Sequence, residues 1–291
     1  MYKKIEFCPS CENNGFNNLL IAKDHLVSDE SFAIVQCQTC HLLFTNPRPS
    51  DTRLDHYYDS EQYISHNDKK LSVQNLIYRL VRQITLGQKI RIIKKYHSSG
   101  TLLDYGAGTG AFLQRAVTHF EVKGVEPSVQ AILQASSSIQ TRIHTDLDSV
   151  VSNDKFDVIT MWHVLEHLPS LRVTFDKIKE RLSPEGHLFI AVPNPNSWDS
   201  KHYGADWAGY DVPRHLCHFG QDAMASFLKQ YGLRIVEVRP MKFDAYYVSM
   251  LTERHLQNPQ YFIKGLTMGY RSNQSAHLDG EYSSLLYVVG A

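Results

Sequence analysis

From Thr101 onward, apolar runs alternate with amphipathic stretches. TLLDYG, VKGVE, TRIHT, FDVITMW and HLFIAV are short and rich in Val, Ile, Leu and aromatic residues, and they predict buried strands. Between them, AFLQRAVTHF, PSVQAILQASS and VTFDKIKERL carry apolar residues at helical spacing, with Pro127 at a first turn and SPEG as the turn after the third. QDAMASFLKQY then predicts an amphipathic helix stopped by Gly232, LRIVEVR a strand, and YSSLLYVVG a terminal strand. This alternation predicts an α/β fold, a mainly parallel sheet covered on both faces. Residues 241–280 break the rhythm, and AYYVSMLTERHLQ and PQYFIKGLTMGY predict a helical insertion. Such an insertion packs as core, caps an apolar substrate, or meets a second copy.

The first third reads differently. Leu71, Leu76, Leu80, Ile84, Ile90 and Ile93 have helical spacing, with Gly87 as the expected break between two helices. Residues 51–67 predict a loop or broken helix. Residues 1–50 hold two strand-like runs, LLIAKDHLV and SFAIVQC, and close on the stiff turn TNPRPS. The chain therefore divides into a small module at 1–50, a loop and helical connector or lid at 51–97, and a main domain at 98–291.

Composition narrows the function. The 291 residues are 43% hydrophobic, enough for a large core without disulfides. Thirty basic residues balance thirty acidic ones, so no global charge favours nucleic acid or an anionic membrane. No apolar run approaches the ~18 residues of a membrane span, and MYKKIEFCPS lacks the apolar stretch of a signal peptide. A cytoplasmic location is expected, where thiols stay reduced.

Four of the five cysteines form two CxxC pairs, Cys8/Cys11 and Cys37/Cys40. This spacing is a zinc-ribbon signature, and four thiolates make a closed, structural site for Zn. Four reduced thiols without a metal are the alternative. Glu12 and His41 stand just after the second Cys of each pair, where Gly often occurs. Within residues 1–50, Lys3, Lys4, Lys23 and Arg48 face Glu6, Asp24, Asp29 and Glu30, which leaves no nucleic-acid footprint there. Cys217 reads as a buried thiol.

The sharpest chemical signal is LLDYGAGTG. Gly106, Gly108 and Gly110 follow a strand and open a helix, so backbone N–H groups can approach a ligand closely. Asp104 precedes them, and Glu126 ends the next strand, where a carboxylate accepts hydrogen bonds from a ribose. No Lys follows to neutralise phosphates, so the ligand implied is a nucleoside.

LLDYGAGTG, GVEP, FDVITMWHVLEHL and LSPEGHLFIAVPN, taken in order, resemble the motifs of class I S-adenosylmethionine-dependent methyltransferases over roughly residues 100–240. The resemblance implies a Rossmann-like sheet whose last strand is antiparallel, and S-adenosylmethionine as cofactor. It implies that Asp104 and the glycine loop hold the methionine end, Glu126 the ribose and Asp146 the adenine, with Trp162 and His163 lining the pocket. It also implies a small-molecule acceptor, methylated at O or C. A ribbon fused to this domain is similar to a segment of some small-molecule and sugar methyltransferases. That favours a structural or lid role over the cofactor mouth, together with HYYDSEQY. RNA methylation and a non-catalytic cofactor-binding protein are the alternatives.

The long loop PNPNSWDSKHYGADWAGYDVPRHLCHFG follows the fifth strand of the main domain, where α/β proteins build their crevices. Trp198, Tyr203, Trp207 and Tyr210 can enclose an acceptor, and Arg214 can pair a substrate carboxylate or pin the loop. PRHLCHF resembles a PRH-x-x-HF element of the same family. His215 is the first candidate base and His218 the second. His163 and His167 are expected to hold the loop after the fourth strand of that domain.

Overall fold

The computed structural model describes residues 2–58, 73–150 and 154–291, with side chains of the connector helix described from Val81. The chain opens with strands β1 (Tyr2–Lys3), β2 (Phe16–Lys23), β3 (Ser31–Cys37), β4 (Leu43–Thr45) and β5 (Arg48–Pro49). A short helix α1 (Asp51–Leu54) and the long helix α2 (Val73–Ile93) lead into the main domain. Helix α2 runs unbroken through the expected break at Gly87, since a single glycine costs a helix only about 1 kcal/mol. The expected roles of DSEQYISH and of the Leu71, Leu76 and Leu80 side chains lie outside the described residues.

The main sheet is built from β6 (Thr101–Tyr105), β7 (Glu121–Val125), β8 (Ile143–His144), β9 (Phe156–Trp162), β10 (Leu182–Pro193), β12 (Arg234–Pro240) and β13 (Ser284–Gly290). Its order is β12-β13-β10-β9-β6-β7-β8. Strands β6–β10 pair parallel, whereas β13 pairs antiparallel to β10 and β12. The main sheet starts near its middle, at β6, and the chain winds outward from there in both directions. That makes the β6/β9 boundary a topological switch point, where the crevice opens at the carboxyl ends of the strands. SPEG lies inside β10, looped out between Leu182, which pairs with Phe156, and His187, which pairs with Val158.

Short helices α3 (Ala111–Ala116), α4 (Val129–Leu133) and α5 (Ser137–Gln140) follow β6 and β7. Helices α6 (Leu171–Glu180) and α7 (Trp198–Tyr203) follow β9 and β10, and α8 (Gln221–Lys229) follows the long loop after β10. Helix α6 buries Leu171, Phe175 and Ile178, and α8 buries Met224, Phe227 and Leu228, so each helix lays one apolar stripe on the sheet. The insertion is a two-helix hairpin, α9 (Lys242–His255) and α10 (Tyr261–Asp279). Gly265 and Gly269 lie against the Met250 and Tyr246 backbones, where a Cβ would approach to 2.5 and 2.6 Å. Asp199 of α7 ties this hairpin down, accepting from Ser272 (2.6 Å), Ser283 (2.7 Å) and the Trp207 indole (2.8 Å).

The N-terminal strands do not close on themselves. β11 (Cys217–His218) joins β4, giving a second sheet in the order β11-β4-β3-β2. The long loop after β10 is thus partly a strand of the N-terminal sheet.

Candidate active site

The glycine loop leaves β6 at the switch point. Gly106 has φ +81°, and a Cβ there would come 2.3 Å from Val164 Cγ2, so only glycine makes this turn. The N–H groups of Gly106 and Ala107 donate to the Val125 carbonyl at 2.8 and 2.9 Å, binding the loop to the end of β7. The missing Cβ of Gly108 faces open space, room for a ligand against the backbone. Glu126 Oε2 accepts the Gly108 N–H at 2.9 Å and Oε1 accepts the Ser128 N–H at 2.9 Å, so the carboxylate is aimed with lone pairs to spare. Asp104 is only 2% exposed, and its Oδ1 accepts the Thr160 hydroxyl at 2.6 Å. Burial raises its pKa to about 7, against the opposing effects of Thr160 and Lys89. Gly108 thus leaves an open cradle beside the Glu126 carboxylate, with Asp104 buried near the end of β6.

The other pocket residues are placed less uniformly. Trp162 ends β9 and packs edge-on to Phe112 at 5.4 Å. Asp146 is exposed and turned into its own loop, accepting from the Ser149 N–H (2.7 Å) and hydroxyl, which holds its carboxyl below the usual range. His163 adopts φ +58° directly after β9. Its Nε2 lies 3.1 Å from Asp244 of the insertion and its Nδ1 3.5 Å from Glu166. Burial opposes its protonation, but the two carboxylates prevail and raise its pKa to about 9.

Glu166 is the centre of a second cluster. It is 1% exposed, and among the described residues neither carboxylate oxygen has a hydrogen bond. His215 Nε2 stands 4.0 Å from Glu166 Oε1 and 3.9 Å from Asp211 Oδ2. His215 Nδ1 lies 3.0 Å from the Gly209 carbonyl. A carbonyl only accepts, so Nδ1 donates to it, and Nε2 is the nitrogen turned toward the two carboxylates. His167 Nδ1 faces the Arg214 carbonyl at 3.1 Å, and burial lowers its pKa to about 4. Ligand atoms of Glu166, His167 and His215 lie within 4.8 Å of one another, a set that could hold a cation. His218 is buried against Tyr210, and burial followed by the nearby His215 pushes its pKa down to about 3.

Arg214 pins the loop. It is 1% exposed, with Nη2 2.9 Å from Asp24 and 2.7 Å from Asp211, and Nη1 donates to the Tyr57 carbonyl at 3.1 Å. Trp207 and Tyr210 pack in a core cluster with Phe32, Ile34 and Tyr57, so these two aromatics are wall rather than acceptor cage.

The sequence profile of the methyltransferase domain matches residues 80–238, more than half of the chain. The chain belongs to the methyltransferase domain family. Among related methyltransferases, the ubiquinone biosynthesis O-methyltransferase of Paraburkholderia phytofirmans is 25% identical over 164 residues, covering 51% of this chain and 71% of that one. The protein of the same description from Cupriavidus pinatubonensis is 23% identical over 159 residues, covering 49% and 64%. Phosphoethanolamine N-methyltransferase 2 of Haemonchus contortus, solved in complex with S-adenosyl-L-methionine, superposes with a TM-score of 0.52 at 18% identity, covering 95% of this chain and 68% of that one. The fold is that of S-adenosylmethionine-dependent methyltransferases, and the described strand order and antiparallel β13 agree with it.

In this methyltransferase the four N-terminal cysteines converge. Cys8 and Cys40 sulfurs are 3.5 Å apart, Cys11 and Cys37 3.6 Å, and all four lie within 4.8 Å of one another. Glu12 and His41 both adopt φ +59°, the left-handed conformation that a knuckle needs after its second Cys. Matching N–H···O bonds close the knuckles, Glu12 to Cys8 at 3.0 Å and His41 to Cys37 at 3.1 Å. The donor set and its spacing fit a tetrahedral thiolate-bound ion. His41 is exposed and stands outside this set. The module touches the main domain at the loop that follows β10. Thr45 N donates to the Leu216 carbonyl (3.0 Å), Thr45 Oγ1 to the His215 carbonyl (2.9 Å), and Arg48 to the Pro169 carbonyl (3.0 Å). Among the described residues the module's polar contacts to the main domain run to the histidine loop, to Pro169, to Arg172 of α6 from Glu12 (2.9 Å) and to Gln230 after α8 from Ser10 (3.3 Å), not to the glycine loop.

Two site residues escaped the sequence. Glu166 lies in HVLEHL, where flanking histidines drew attention instead. Lys89 lies on α2, where a basic residue of an amphipathic helix reads as solvent-facing.

Proposed function

We propose that this protein transfers the methyl group of S-adenosylmethionine to an oxygen or carbon of a small-molecule acceptor, with His215 as general base and a structural zinc in the Cys8/Cys11/Cys37/Cys40 site. The observation that carries this reading is the His215–Glu166 pair, an imidazole held through Nδ1 with its Nε2 beside a buried carboxylate, in the same domain as the nucleoside cradle. The cofactor supplies an electrophilic methyl on sulfur. The glycine loop, Asp104 and Glu126 hold and orient it, and alignment of donor and acceptor alone can supply ~7–11 kcal/mol. His215 Nε2 takes the acceptor proton. Glu166 and Asp211, both near 4 Å, then face the imidazolium, each worth about 1–4 kcal/mol between water-like and protein-surface screening. Zero net charge and the resemblance to O-methyltransferases support a small neutral or weakly charged acceptor over RNA.

The test is methyl transfer from labelled cofactor to a panel of phenolic and enolic acceptors. His215→Ala is expected to lower kcat by about 10²–10⁴ while leaving S-adenosylhomocysteine affinity unchanged. Full turnover in that variant would end the assignment of the base. A wild-type chain that binds the cofactor but methylates none of the acceptors, and instead methylates RNA, would end the assignment of the acceptor.

A further inference from the structure

Lys89 carries a charge that the fold leaves unanswered. Its Nζ lies 4.2 Å from the centre of the Trp162 ring. The same turn of α2 buries Leu86 and Ile90 in the cluster that contains Ala107 of the glycine loop, with Phe112 and Trp162 beside them. The ammonium group therefore stands next to the cradle, on the side where the loop leaves β6. Among the described residues it has neither a hydrogen bond nor an ion pair. The acids that act on it, Asp244 and Asp104, do so through space, and each is engaged elsewhere, Asp244 with His163 and Asp104 with Thr160. Burial disfavours the charged ammonium, so a counter-ion arriving from outside would recover that cost. An aromatic face steadies a cation but does not neutralise it.

A cation without a partner, next to a buried acid, is a receptor for a zwitterion. The amino-acid end of S-adenosylmethionine is such a group, with one carboxylate and one ammonium on the same carbon. We propose that Lys89 is the counter-ion for the amino-acid carboxylate of the cofactor, with Asp104 facing its ammonium and Trp162 holding the Lys89 side chain over the pocket. This rests on the cofactor reading given above. It also gives the pocket a means of rejecting adenosine thioethers that lack the carboxylate, such as the products of decarboxylation.

The test is calorimetry on the full-length chain with two probes, S-adenosylhomocysteine and S-adenosyl-3-thiopropylamine, which lacks only the carboxylate. The wild type is expected to prefer S-adenosylhomocysteine by about tenfold to hundredfold, the range of a partly buried charge-assisted contact. Lys89→Met should lose that preference by weakening S-adenosylhomocysteine alone, and Lys89→Arg should restore most of it. Thermal unfolding of the ligand-free variants checks that each is folded. Equal weakening of both probes in Lys89→Met would make Lys89 a packing residue and overturn the proposal, as would a wild type that binds both probes equally. A wild type that binds neither probe would overturn the cofactor reading itself, and this proposal with it.

Discussion

Asp104 shows what a ligand site costs the empty protein. Its folded pKa, about 7, lies above the ordinary value near 4, so the folded state holds more protons between those two values. Stability therefore falls as pH rises through that window, and the full penalty applies above pH 7. Ligand-free Asp104→Asn is expected to be more stable than wild type at pH 8 by on the order of 1–4 kcal/mol, seen as a higher unfolding temperature, with the gap closing toward pH 4. Thermal scans across pH check it; a gap that is constant with pH would mean that the carboxyl is not the titrating group. The same variant should bind S-adenosylhomocysteine more weakly, which would mark Asp104 as a residue kept for binding at the expense of stability. At this scale the sequence was informative about residue types on loops. Glycines, an acid at a strand end and paired cysteines have few other uses, so their positions could be read one by one. Glu166 and Lys89 could not, because an acid or a lysine is common on any surface and only its surroundings make it unusual, burial for Glu166 and the Trp162 ring for Lys89.

The loop carrying His215 illustrates the element scale. Arg214 on one side is bound by Asp24, and Leu216 to His218 on the other are bound by Thr45 and β4, so the N-terminal sheet grips both flanks of the candidate base. Asp24 also accepts the Ser28 N–H at 2.9 Å and the Ser28 hydroxyl at 2.8 Å, so one carboxylate shapes a turn and compensates a buried guanidinium. Removing its charge leaves Arg214 with Asp211 alone. Asp24→Asn is expected to cost about 3 kcal/mol or more, seen as a lower urea midpoint, because a buried cation loses half of its compensation. A midpoint unchanged within error would show that Asp211 suffices. The helical insertion follows a different logic. Its two glycines allow close backbone contact, and Asp199 fastens it to α7, so it packs as part of the domain while lending Asp244 to His163.

Across the whole molecule, the N-terminal module and the catalytic domain share a sheet. Metal at the four cysteines would hold two knuckles together at the end of a core cluster that runs on into the main domain, and binding of that kind contributes ~10–16 kcal/mol to folding. A strong chelator is therefore expected to raise hydrogen exchange at residues 8–45 and, with them, at residues 214–218. S-adenosylhomocysteine affinity should stay within about threefold, since the glycine loop leans on β7 instead. Exchange that stays slow at 214–218 after the metal is gone would show that the loop holds itself in place.

The family resemblance implied the late antiparallel strand; local pattern was enough to give the alternation of strands and helices, the mainly parallel sheet, the glycine turn after its first strand and the paired knuckles. Each of these depends on residues close together in the chain, and periodicity or fixed spacing carries that information. What the tertiary structure decided were meetings across the chain. Asp24 meets Arg214, Lys89 stands over Trp162, Glu166 is enclosed by three histidines, and a strand from residue 217 completes a sheet begun at residue 16. Burial and charge compensation belong to the packed molecule, so such pairs leave no periodic trace in the order of the amino acids.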